Sequence, residues 1–110
     1  MEIVQVLKAL ADETRLRMLN LLTYGELCVC DIENTLGIQQ SNASRHLTKL
    51  KQSGIIESEK KSQWVYFRFN QETLQKYPFL NDIIDELSNL SICKDDLQRL
   101  HKYKKTGNTC

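Results

Sequence analysis

Apolar positions recur at helical spacing along most of this chain, and the places where the period changes mark its organisation. Ile3, Val6, Leu7, Leu10 and Ala11 predict an amphipathic first helix over 3–11. Asp12 can cap a second, with Leu16, Leu19 and Leu22 inward, Arg15, Arg17 and Asn20 outward, and Tyr24-Gly25 as its stop. Ile32 and Leu36 give one apolar row of a short third helix with Cys28-Val29-Cys30 at its entrance and Gly37 as the turn residue. A fourth helix covers about 40–53, with Ala43, Leu47 and Leu50 inward and Gly54 at its end. The period then shifts to that of strands. Residues 55–59 and 64–69 are β-rich runs around Lys60-Lys61-Ser62-Gln63, and the absence of Asn-Gly or Asp-Gly there predicts a loose hairpin. Trp64, Tyr66, Phe67 and Phe69 alternate, so at least half of them are core.

Beyond Pro78 a fifth helix is expected over 79–90. Its two overlapping rows, Phe79/Ile83/Leu87/Leu90 and Leu80/Ile84/Leu87, make a stripe wider than one small domain needs and therefore a candidate dimer face. A helix buried on two sides of its own domain is the plainer alternative. A polar helical piece over 95–105 completes the elements. The fold class is mostly α with a β-hairpin wing, a winged helix-turn-helix in the order α-α-α-α-β-β-α. One domain is expected over 1–105, with a flexible tail at 106–110.

Composition narrows the function classes. Of 110 residues, 41% are hydrophobic and 26% charged, which fits an ordered globular domain whose modest core would gain from a partner subunit. No apolar run is long enough to span a membrane and the start is not signal-like, so a cytoplasmic protein with no membrane partner is expected. The net charge of +1 conceals an uneven distribution. Arg45, Lys49, Lys51, Lys60, Lys61 and Arg68 face only Glu57 and Glu59 in the same stretch, a local excess that a polyanion could use. Four cysteines without a secretory signal argue against a disulfide framework and leave metal or redox chemistry, or plain burial.

With Ala43, Leu47 and Leu50 inward, the fourth helix turns Ser41, Ser44, Arg45, Thr48, Lys49 and Gln52 outward. Arg45 can fork onto a guanine edge or a phosphate, hydroxyls reach either, and the N-terminal half, with Gln40 and Asn42, is free to enter a major groove. His46, at the margin of the apolar row, is equally suited to a phosphate contact or to packing. Lys60, Lys61 and Gln63 of the wing would straddle the backbone of the duplex electrostatically.

Cys28-Val29-Cys30 has a geometry of its own. Residues i and i+2 of an α-helix point to nearly opposite sides, whereas in extended chain they share a face. Both sulfurs can therefore hold one ion only where the backbone is not regular helix, so ligation and an intact third helix compete. A coupling of about 1–3 kcal/mol would change DNA affinity roughly 5–150-fold. Proximity to a helix N-terminus favours the thiolate, and two thiolates without imidazole select As(III), Sb(III), Cd(II), Pb(II), Bi(III) or Cu(I).

Residues 9–19 (Ala-Leu-Ala-Asp-Glu-Thr-Arg-Leu-Arg-Met-Leu), 26–32 (Glu-Leu-Cys-Val-Cys-Asp-Ile), 44–47 (Ser-Arg-His-Leu) and 64–66 (Trp-Val-Tyr), in this order, resemble the ArsR/SmtB family of metal-responsive repressors, over about 1–90. The resemblance implies a winged-helix homodimer, not an enzyme, paired through its first helix (Ile3, Leu7) and fifth helix (Phe79, Leu80, Ile83, Ile84, Leu87). It would bind operator DNA and let go when metal engages Cys28 and Cys30. The arsenic-sensing branch commonly has a third cysteine three residues after the second, where this chain has Glu33, so Cys93 and Cys110 are the candidates for a third sulfur. The cadmium/lead branch shares the Cys28–Cys30 segment but uses an N-terminal extension. Zinc and nickel sensors use Asp and His on the fifth helix, which here has no His. As(III) or Sb(III) is thus the implied inducer, with Cd(II)/Pb(II) or thiol oxidation as alternatives, and a small dithiol redox or metal-carrier protein or a protein-interaction module as rivals from other classes.

Overall fold

The computed structural model describes residues 1–107. Its helices and strands are α1 (Glu2–Leu10), α2 (Glu13–Leu22), β1 (Leu27–Cys28), α3 (Val29–Leu36), α4 (Gln40–Gln52), β2 (Ile56–Lys61), β3 (Trp64–Phe69), α5 (Gln71–Lys76), α6 (Phe79–Leu87) and α7 (Ser91–Lys105). This is a winged helix-turn-helix. The four N-terminal helices and the hairpin fall where the apolar periods put them, and the core joins Val6, Met18, Leu19, Leu21, Ile32, Ala43, Leu47, Leu50, Ile55 and Ile56 from every one of those elements. The Asp12 carboxylate accepts from the Arg15 backbone N–H at the start of α2, and Gly37 ends α3 at φ 68°, a left-handed conformation that costs glycine nothing.

Four features differ from the sequence reading. The two-residue strand β1 pairs antiparallel with β3, Leu27 opposite Phe67 and Cys28 opposite Tyr66, so the sheet has three strands in the order β1-β3-β2. The hairpin is tight. Lys61 pairs with Trp64 across a two-residue turn whose first residue, Ser62, sits at φ 60°, so the backbone takes a positive-φ turn without the usual glycine. A short α5 follows β3, capped by Asn70, whose side-chain oxygen accepts from the N–H groups of Glu72 and Thr73.

The fourth difference is the largest. The fifth predicted helix, here α6, stops at Leu87, and the last helix begins at Ser91 and is not a surface piece. α7 lies across α2 and α3 and buries Cys93, Asp96 and Leu100. The face of α2 expected to meet water is consequently covered. Asn20 is 1% exposed and donates through Nδ2 to the Cys93 carbonyl at 2.9 Å, and Arg17 grips the fully buried Asp96 carboxylate with Nε and Nη2 at 2.8 and 2.9 Å. Arg99 adds a further bond to Asp96 from within α7. Phe67 and Phe69 pack on the core, as alternation requires. The last three residues of the expected tail lie outside the described residues.

Candidate nucleic-acid interface and thiol site

α4 carries the polar face expected from the sequence to meet DNA. Gln40, Ser41, Arg45, Thr48 and Lys49 are exposed and Asn42 and Ser44 half-buried along one side. The side chains hold one another along the helix: Gln40 Nε2 donates to Ser44 Oγ at 2.8 Å, Arg45 Nη2 to Asn42 Oδ1 at 2.7 Å, and Thr48 Oγ1 to the Ser44 carbonyl at 2.8 Å. These i,i+3 and i,i+4 bonds order the donors and acceptors that a base edge would engage.

His46 does not belong to that face. It is 5% exposed and points to the N-terminus of α2, where Arg15 Nη1 donates to its Nδ1 at 3.1 Å. Guanidinium only donates, so Nδ1 is the acceptor and the neutral ring carries its proton on Nε2. Burial holds the His46 pKa below its ordinary value, opposed by Asp12 and assisted by Arg45, Arg15 and Lys49. Arg15, expected outward, also donates through Nε to the Ala9 carbonyl at 2.7 Å and through Nη2 to the Lys8 carbonyl at 3.2 Å. One guanidinium thus ties the end of α1 to α4.

The wing is less basic than its sequence suggests. Arg68 is held by Glu26 and Glu57 at 2.8 Å each and by Glu59 at 2.7 Å, and Lys61 reaches Glu26 at 2.6 Å. Cross-strand register explains this: Glu57, Glu59 and Lys61 share one face of the hairpin with Arg68, Tyr66 and Trp64. Lys60, on the opposite face, and Gln63, in the turn, are exposed.

Cys28 and Cys30 lie where β1 becomes α3, and they are not equivalent. Cys28 is extended, at φ −87° and ψ 167°, and is the N-cap of α3. Its sulfur accepts from the Asp31 N–H while Asp31 Oδ2 accepts from the Cys28 N–H at 3.1 Å, a capping box in which sulfur replaces the usual hydroxyl. Cys30 stands in the first turn of α3, and Asn34 Nδ2 donates both to its carbonyl at 2.8 Å and to its sulfur at 3.4 Å. The pair thus straddles the helix entrance, Cys28 before α3 and Cys30 within it. The expected ease of ionisation fails at Cys28. Burial, joined by the Asp31 carboxylate, pushes its thiol above the ordinary value, and the Asp31 N–H pulls the other way.

α7 closes the site. Lys104 Nζ sits 3.0 Å from the Asp31 carboxylate, whose side chain is 3% exposed; burial works against the Lys104 charge, but its pKa is raised on balance by Asp31. Neither Asp31 nor Lys104 was singled out in the sequence, though the Cys-x-x-Asp spacing of a capping box was available to find the first. Cys93 is 1% exposed against α2 and eleven residues before Lys104, about 16 Å along the helix axis, so it stands apart from the cysteine pair of its own chain. Cys110 lies outside the described residues. Among the described residues no group of three or more His, Cys, Asp or Glu side chains could together hold a metal ion.

The expected dimer residues divide. Ile3 and Leu7 of α1 are exposed at 38% and 48%, beside Val4. Leu80 and Leu87, however, face the chain's own core at 1% and 5%, because α6 turns that row toward the other helices; Phe79, Ile83 and Ile84 are half-buried against the same cluster. Among the described residues no helix is long and apolar enough to cross a membrane.

Comparison with known proteins agrees with this architecture. Residues 12–58, from the Asp12 cap through α4 into β2, match the family described as bacterial regulatory protein, arsR family. The arsenic resistance transcriptional regulator ArsR1 of Pseudomonas putida is 46% identical over 71 residues, 64% of this chain but only 56% of that protein's length. The transcriptional repressor SdpR of Bacillus subtilis is 37% identical over 70 residues, covering 64% of this chain and 78% of SdpR. Among solved structures, the homodimeric winged helix-turn-helix DNA-binding domain of Mb0332 from Mycobacterium bovis, described as a possible ArsR-family transcriptional regulator, superimposes with a TM-score of 0.66 at 29% identity, over 82% of this chain and 85% of that one. From its capped second helix to its wing, this chain belongs to the arsR family of bacterial regulatory proteins.

Proposed function

We propose that the protein is a transcriptional repressor that binds duplex operator DNA as a homodimer through α4 and the wing, and is released when As(III) or Sb(III) engages reduced Cys28 and Cys30. The observation that carries this reading is the N-cap. The sulfur that would bind the ion is the one that accepts the Asp31 N–H, and the helix it caps packs directly on the reading helix. Drawing Cys28 and Cys30 onto one atom takes Cys28 off its cap or unwinds the first turn of α3. Either movement disturbs the support of α4, which is how occupancy at one end weakens contact at the other.

The environment of Cys28 also favours arsenite over cadmium. A buried thiol that resists ionisation must lose its proton to bind Cd(II). Toward As(OH)3 the same thiol forms an As–S bond while its proton leaves with hydroxide as water, so no net ionisation is required. For dimerisation, the exposed Ile3, Val4 and Leu7 row of α1 supplies an apolar face. Arg45 and its neighbours on α4 carry base contacts in this reading, and Lys60 and Gln63 meet the duplex backbone.

The test is release of a labelled duplex taken from upstream of the gene, titrated with arsenite under reducing conditions and read by anisotropy. Wild type should bind and release. Cys28→Ser should bind as well as wild type, because serine is itself a strong N-cap, and fail to release. Cys28→Ala should also fail to release and lose about 1 kcal/mol of stability from the missing cap. Cys93→Ser should behave as wild type, and Cys110→Ser decides whether the tail supplies a third sulfur. Arsenite release that survives in Cys28→Ser overturns the proposal, and cadmium release at lower concentration than arsenite overturns the choice of inducer.

A further inference from the structure

Between α1 and α4 lies an open cleft of about 390 Å³ that the function described above does not use. Lys8 and Gln5 of α1 form one wall, Lys49 and Gln52 of α4 the other, and Arg15 of α2 the floor. Three cations and two amides line it without a carboxylate. Their states differ. Arg15 is committed to the Ala9 and Lys8 carbonyls, to His46, and to the Asp12 carboxylate 3.8 Å from its Nη1, so the cleft's free charge comes from its two lysines. Lys8 and Lys49 are exposed, and among the described residues neither makes an ion pair, in contrast to Lys61, Lys76 and Lys104. Opposed ammonium groups without a carboxylate partner attract an anion, and amide N–H groups beside them suit its oxygens.

We infer that this cleft binds a phosphate group, and that its source is the backbone of the same duplex that α4 reads, which makes Lys8 of α1 a DNA-contacting residue. The inference rests on the proposed reading of α4 as the DNA helix. Lys49 stands one turn after Arg45, so a strand flanking the groove entered by the N-terminal half of α4 continues toward the cleft. Two consequences follow. The contact carries no sequence information, since phosphates are alike. It also couples α1, the helix with the exposed apolar row, to the bound duplex, so subunit pairing and DNA grip reinforce each other through Arg15.

The experiment measures binding of a labelled 30-base-pair duplex against salt for wild type, Lys8→Gln, Arg45→Ala and the remote Lys105→Gln. Each phosphate contact contributes roughly 0.9 to the slope of log affinity against log salt. Lys8→Gln should lower that slope by about 1 per subunit, and weaken operator and scrambled duplexes by the same factor. Arg45→Ala should instead weaken the operator more than the scrambled duplex, and Lys105→Gln should leave the slope unchanged. Circular dichroism confirms that the Lys8 variant is folded. An unchanged slope in Lys8→Gln with wild-type binding intact overturns the inference. Binding of inorganic phosphate at the Lys8 and Gln52 amides, seen by NMR, together with an unchanged duplex slope, assigns the cleft to a free anion and overturns its duplex source. Absence of salt-dependent binding by wild type would instead sink the reading of α4.

Discussion

Two charge networks diverge from the segment that holds Glu26 and Cys28. On the α7 side, carboxylates are buried: Asp96 is fully enclosed against Arg17, and Asp31, 3% exposed, lies against Lys104. On the wing side, Glu26, Glu57 and Glu59 surround Arg68 in solvent, with pair distances just as short. The distances do not distinguish the two regions; water does. Removing a partner at the seam strands a desolvated charge, whereas at the wing water takes the vacant place. The end of the molecule that holds the cysteines is therefore stiff, and the end that would meet DNA can exchange its carboxylates for phosphates at little cost.

The comparison breaks or sharpens under three tests, largest effect first. Arg17→Ala takes the bidentate partner from the fully buried Asp96 carboxylate, leaving it only Arg99, and should cost about 3–5 kcal/mol, read as a lower urea midpoint with an unchanged m-value. A loss no larger than that of an exposed pair would mean the seam is no stiffer than the wing. Next comes His46, buried like the seam but facing the half-exposed Asp12. Its pKa is lowered by burial from 6.5, so the unfolded chain takes up a proton first, and stability present above about pH 6.5 is lost as pH falls through the depressed value. His46→Gln should flatten the stability profile between pH 7 and 5. Asp12, its pKa lowered chiefly by the Arg15 N–H, loses stability in the same direction but in the more acid range. The smallest effect belongs to Arg68→Gln, which should hardly move the urea midpoint at 0.15 M salt, yet should change duplex affinity measurably through Glu57 and Glu59, which it frees, while Lys61 still holds Glu26.

Much of the candidate site was legible because it obeys local rules. Ala43, Leu47 and Leu50 fix which side of α4 is buried, so the positions of Ser41, Arg45, Thr48 and Lys49 followed. His46 was the exception on that helix. Its neighbour is 31 residues away on α2, and one helical wheel cannot register a partner on another element. The same limit applies to Arg17 and Asn20, which any amphipathic pattern sends outward until α7 arrives to cover them.

By itself, then, the sequence determined the helix periods, the caps at Asp12 and Gly37, the hairpin, and the cysteine pair at the entrance of α3. All of these depend on patterns local to one element or to two strands adjacent in sequence. Only the tertiary structure decided that Cys28 is an extended N-cap, that α7 seals the thiol site through Asp31 and Lys104, and that Glu26 neutralises the wing. Asp31 and Lys104 are 73 positions apart and Glu26 and Lys61 are 35 apart, and Cys28 is held extended by pairing opposite Tyr66 on β3, so in each case a distant element, and not local spacing, settles what the side chain does.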